Sequence, residues 1–143
     1  RAVPLGIEQR AQLIESMVIP ELLYDTSVQP LNKRELQAWR SKIASSIWGQ
    51  ACPSKCIEII FTLFCRGHAA DPQQASVFRV LNATRRMLLR YPDMHAQWRN
   101  TVTSMMDFNV KNGHGPAARF LWAAKKMGCE VADAFTLVCS QRR

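Results

Sequence analysis

The sequence predicts an all-α protein, an irregular bundle of about six helices whose C-terminal tail leaves room for a short strand. Three observations lead there. Apolar residues recur at spacings of three and four, the period of one helix face. Start signals built on Pro, Asn and Asp alternate with Gly stops along the chain. Hydrophobic residues make up 48% of the 143 and charged residues 21%, a globular composition long enough to bury a core as one domain.

The first helix is expected over residues 5–24, where Ile7, Ala11, Ile14 and Val18 share a face. Pro20 interrupts it or starts a new turn, because proline has no N–H to continue the ladder. Gln29-Pro30 marks a turn. Asn32 then sits where an N-cap belongs, with Glu35 three residues on, the arrangement of a capping box. Leu36, Trp39, Ile43 and Ile47 form the expected buried stripe of the second helix, and Gly49 ends it. Trp39 is expected to be buried against the first helix.

Pro53-Ser54 opens a short third helix with Ile57, Ile60, Phe61 and Phe64 as its apolar side and Gly67 as its stop. Asp71-Pro72-Gln73-Gln74 is the clearest start signal in the chain, a cap followed by an N1 proline and an N3 Gln. That helix should run to about Arg90, where Tyr91-Pro92 ends it. Met94, Trp98, Val102 and Met105 suit a fifth helix. Residues 109–115, with Asn112-Gly113 and His114-Gly115, read as a loop. Pro116 opens a last helix through Met127, stopped by Gly128. The tail 131–139 is ambiguous between strand and helix.

Charge narrows the partners. Nineteen Lys and Arg against eleven Asp and Glu give +8, with a pI near 9.7, which favours a polyanion, nucleic acid above all. The bland alternative is a basic solvated surface. No apolar run reaches the roughly 20 residues of a membrane span, so no membrane partner is expected. Five cysteines, an odd number without a secretory signal, suggest reduced thiols in an intracellular compartment. Beginning at Arg1 without Met, the chain reads as a fragment.

Tyr24-Asp25 follows an apolar run and raises a catalytic question, since polymerase palms carry a Tyr-x-Asp-Asp turn. Two-metal phosphoryl transfer needs at least two converging carboxylates. Asp25 stands alone behind a segment of helical period, so it reads as a helix end facing water. Cys52, Cys56, Cys65 and His68 offer four soft ligands in 17 residues, which is enough for tetrahedral zinc. Cys56 and Cys65, however, would lie at the two ends of one helix, about 13 Å apart by helical rise. A structural role for these cysteines is the stronger reading, and no cofactor is expected. His68, His95 and His114 lie in separate segments, no nucleophile–base set can be assembled, and no Gly-rich phosphate cradle is present.

The basic residues are patterned. Arg79, Arg86 and Arg90 follow at +7 and +4 on one helix face, opposite Val77, Val80, Leu81, Thr84 and Leu88. Arg119 and Lys126 repeat the +7 interval in the last helix, and Lys33 and Arg40 in the second. Apolar-in, arginine-out helices occur in any soluble bundle, but three of them in a +8 chain suit contact with a phosphate backbone.

Val18-Ile19-Pro20-x-Leu22-Leu23-Tyr24, Leu36-x2-Trp39-Arg40 and Ile47-Trp48-Gly49 resemble the segment just after the palm in reverse transcriptases of non-LTR retrotransposons. Gly67-His68-x2-Asp71-Pro72-x-Gln74, Arg85-Arg86 and Gly115-Pro116-x3-Phe120-Leu121 resemble downstream stretches of reverse-transcriptase-like proteins. Asp25 departs from the family, which has Gly there. The resemblance implies thumb-like helices over 1–50 and post-thumb helices over 51–143. It implies a parent RNA-directed DNA polymerase whose catalytic palm lies outside this chain, so no catalytic residue is expected here. Its partners would be RNA or an RNA–DNA duplex, gripped by the backbone, and the remainder of the polymerase, in an intracellular, reducing setting that includes the nucleus. The rival readings are a helical module docking protein through a groove lined by its four Trp and six Met, and a small Cys/His zinc module.

Overall fold

The computed structural model describes residues 4–49, 56–63, 69–107 and 114–139. Its helices are α1 (Ile7–Leu13), α2 (Ile19–Leu22), α3 (Lys33–Trp48), α4 (Ile57–Leu63), α5 (Pro72–Arg90), α6 (His95–Asp107) and α7 (Pro116–Lys126). A π-helical turn, Ile14–Val18, joins α1 to α2 into one rod, so six helical rods precede an antiparallel hairpin, β1 (Cys129–Asp133) and β2 (Thr136–Cys139). No described helix is long and apolar enough to cross a membrane.

Contacts group the chain into two compact units, residues 1–24 with 31–76, and residues 25–30 with 77–143. The break falls after the first turn of α5, and the short 25–30 segment belongs with the C-terminal unit.

In the first unit the π-turn alters which residues are buried. Pro20 cannot donate a backbone hydrogen bond, and its ring crowds the carbonyl four residues back. The ladder widens there, and the Ile19 N–H donates to the Ile14 carbonyl, five residues earlier. A wider turn delays the face by about one residue. Ile14 and Ile19 are therefore buried and Val18 is exposed, correcting the expected stripe. Ile14, Ile19 and Leu23 pack into one core with Ile43, Ala44, Ile47, Ile60 and Phe61.

Asn32 caps α3, its side-chain oxygen accepting the Arg34 N–H at 3.0 Å. The buried line of α3 is Arg40, Ile43, Ala44 and Ile47, and Trp39 beside it is only half-buried. Its expected full burial is thus corrected. The expected start of the third helix at Pro53-Ser54, its Phe64 and its Gly67 stop lie outside the described residues. Asp71 caps α5 as the sequence suggested, accepting the Gln73 N–H at 2.9 Å.

In the second unit Val77, Val80 and Thr84 are the buried side of α5. Trp98, Val102, Ala117, Phe120 and Ala134 form the neighbouring core. The Trp98 and Phe120 rings meet edge-on, 5.6 Å between centroids. Gly115 (φ +94°) leads into α7, and Gly128 (φ +69°) leaves it in the left-handed region that glycine enters without steric cost. The expected loop over 109–115 is described only at His114 and Gly115, where the Gly115 N–H donates to the Val28 carbonyl at 3.2 Å.

The ambiguous tail is a hairpin. Cys129 pairs with Cys139 and Val131 with Leu137, with an irregularity between Val131 and Asp133. Asp133 accepts the Phe135 N–H at 2.7 Å, an Asx-turn closing the hairpin. That bond, then Thr136 and the nearby positive Arg99, hold the Asp133 carboxyl below its ordinary range. Cys129 and Cys139 form a disulfide. The expectation that all five thiols are reduced is corrected for this pair, because pairing across the strands brings together residues ten apart in sequence. Closing so short a loop removes freedom mainly from the unfolded chain. Reducing the disulfide is expected to lower stability by about 2–3 kcal/mol, read as a shift between denaturant titrations with and without a thiol reductant. An unchanged midpoint would mean the bond contributes nothing to the folded state.

Candidate nucleic-acid interface

The seven cationic residues singled out by helical spacing divide into three groups. Lys33, Arg86, Arg90 and Lys126 are exposed, and Arg79 is half-buried. Arg40 and Arg119 are buried and leave the phosphate-facing set.

Arg40 is an internal anchor of the first unit. Its Nε and Nη2 donate to the two carboxylate oxygens of Asp71 at 2.9 and 2.8 Å, and Nη2 also donates to Glu58 at 2.9 Å. The guanidinium lies 5.7 Å from the centre of the Phe61 ring. Burial works against its charge, but the bonds to and attraction of Asp71, and then of Glu58, outweigh it and raise its proton affinity. Asp71 therefore serves two purposes, capping α5 and neutralising Arg40. The sequence carried a signal for this, since Leu36, Arg40, Ile43 and Ile47 follow at +4, +3 and +4, which puts Arg40 in the apolar stripe.

Arg119 has no such partner. It is 3% exposed, donates from Nε to the Thr26 carbonyl at 2.9 Å, and lies 3.9 Å above the Trp122 ring. Its Nη2 has no hydrogen-bond partner among the described residues, and burial lowers its proton affinity. The cause is the burial of α7 on several sides, including Ala117, Ala118, Phe120, Ala123 and Ala124. Spacing from Lys126 fixes a face but not a depth, and of the two it is Lys126, at the far end of the helix, that reaches solvent.

Among the described residues, Arg85, Arg86, Arg90, Arg99, Lys125 and Lys126 of the second unit face solvent, against Lys33, Arg34 and Lys42 of the first. Counted over its whole sequence, buried Arg119 included, the second unit carries eleven Lys and Arg against five Asp and Glu, +6 of the chain's +8. On α5, Arg85 and Arg86 are exposed side by side, and Arg90 lies 5.8 Å from the Tyr91 ring centre. Arg99, missed by the spacing argument, is exposed on α6 with its guanidinium 5.4 Å from the Phe135 ring centre. Its signal was an arginine directly after a core tryptophan, visible only once α6 has a defined inner side. Lys33 belongs to the first unit.

The remaining sequence candidates resolve simply. Asp25 is exposed in a short 3-10 turn, Tyr24–Ser27, and its carbonyl accepts the Val28 and Gln29 N–H groups. Cys56 is an exposed free thiol, while Cys52, Cys65 and His68 lie outside the described residues. Among the described residues, no cluster of His, Cys, Asp and Glu is placed to hold a metal ion. No protein family, curated protein or solved structure matches the chain.

Proposed function

We propose that this chain is a nucleic-acid-binding helical part of a reverse-transcriptase-like protein, gripping a template–primer backbone without catalysing phosphoryl transfer. The observation that carries the reading is the concentration of +6 in the second unit, with Arg86 and Arg90 exposed on the outward face of α5. Cations on a folded helix meet phosphates without first having to be ordered, and each contact releases condensed counterions. Such contacts fix position and carry no base information. The motifs around Pro20, Trp39 and Gly49 support the reverse-transcriptase part of the reading. They imply RNA or an RNA–DNA duplex as ligand, the rest of a polymerase as partner, and an intracellular setting. A protein-docking groove lined by tryptophan is less well supported, because Trp98 is core, Trp39 and Trp122 are half-buried and Trp48 alone of the four is exposed.

The test is a triple variant, Arg86→Gln, Arg90→Gln and Lys126→Gln, which leaves the half-buried Arg79 intact. Folding should change little, since exposed substitutions usually stay within about 0.5 kcal/mol each. The slope of log affinity against log salt should flatten by about 2–3 units, equally for unrelated sequences. A normally folded variant with an unchanged slope would make these cations a solvated surface and refute the proposed contact.

A further inference from the structure

A cleft of about 450 Å³ lies within the second unit, formed by α5, His95 at the start of α6, Phe120 of α7 and the hairpin turn. That volume is within the range of small-molecule sites. We propose that the cleft takes one unstacked nucleobase of a single strand, while the flanking phosphates lie on the arginines around it. This inference rests on the phosphate-contact reading above and adds a site for one unpaired base beside the gripped backbone.

The walls are apolar, built by Leu81, Leu88, Phe120 and Phe135, and a flat heterocycle can lie against them. Polar groups are few. Asn82 offers both a donor and an acceptor, as a base edge does, and Arg85 offers a cation at the same cleft. His95 Nε2 lies 2.9 Å from the Leu88 carbonyl. A carbonyl only accepts, so Nε2 carries the hydrogen.

Phe135 gives the strongest indication. It occupies a hairpin turn, where Gly, Asn or Asp usually serve the backbone, and yet it is a large ring 41% exposed. Its position is set by the His95 ring at 5.2 Å and the Arg99 guanidinium at 5.4 Å. An exposed, positioned aromatic among cations is how proteins stack the bases of single strands. A fatty acid would also suit an apolar cleft with a cation. It has no use for Asn82, however, and its single charge matches poorly a unit of +6.

The experiment compares the intact chain's affinity for a short single-stranded oligonucleotide and for an abasic strand of equal length and phosphate count, by fluorescence anisotropy. The base-bearing strand should bind about tenfold tighter. Phe135→Ala should remove most of that difference without changing the salt slope. Asn82→Ala, an exposed helical position that should fold normally, should remove part of it. Equal binding of the two strands on a steep salt slope would overturn the cleft proposal and leave the phosphate reading standing, as would variants that keep the full difference. Displacement of the base-bearing strand by neither nucleoside nor abasic strand but by decanoate would also overturn it, assigning the cleft to an apolar anion. Absence of binding by either strand at low salt would instead remove the phosphate reading itself.

Discussion

Replacing Asp71 with Ala is expected to destabilise the first unit by about 3–5 kcal/mol, the usual cost of breaking a buried ion pair by removing one partner. Asp71 is 1% exposed and meets Arg40 through both carboxylate oxygens. Without it, the guanidinium stays buried with only Glu58, a mostly exposed partner. The cap on Gln73 is lost as well, contributing about 1 kcal/mol of the total. A double-mutant cycle separates the two causes. In an Arg40→Met background Asp71 is itself the orphaned buried charge, so Asp71→Ala there removes that charge together with the cap and should cost little or stabilise. A denaturant titration in which the single Asp71→Ala variant loses under about 1 kcal/mol would show that Arg40 finds water or another anion, and that the pair does not organise this unit.

The second large effect is expected at Trp98. Its ring is core, edge-on to Phe120, and its Nε1–H donates to the Ala134 carbonyl at 2.8 Å. One side chain thus fills the α6–α7 core and ties down the hairpin turn. Trp98→Ala should cost about 3–5 kcal/mol as a large-to-small core change. Trp98→Phe retains most of the apolar body but leaves the buried Ala134 carbonyl without its donor, for about 1–3 kcal/mol. The two variants should therefore unfold at clearly different denaturant concentrations, with the Phe variant nearer the parent. If they unfold together, packing against Phe120 contributes little and the hydrogen bond dominates.

The sequence was most legible where local chemistry decides structure. Asn32, Asp71, Pro72, Pro116 and Gly128 mark helix ends through backbone groups within a few residues, and each serves that way in the fold. It was less legible where a local irregularity shifts a period. Pro20 announced an interruption, but a break and a π-turn predict different buried residues, and only the latter puts Ile19 rather than Val18 inside. Depth was the least legible. A +7 interval sets Arg40 on the face of Lys33 and Arg119 on the face of Lys126, yet one of each pair is buried and the other exposed. Depth depends on which other elements cover a helix, and no spacing within that helix encodes it. The hairpin and its disulfide follow the same logic, since Cys129 meets Cys139 only after the turn at Asp133 is made. Phe135, His95 and Arg99 likewise come from separate elements and converge only in the folded unit.

We propose that the solvent-facing cations of the second unit meet phosphates. The most direct measurement is the affinity of the unaltered chain for a nucleic-acid duplex of mixed sequence across a series of salt concentrations. Contact with three or more phosphates predicts a log–log slope of about −3 or steeper, similar for unrelated sequences. A slope near zero, or no binding at the lowest salt, would contradict the account.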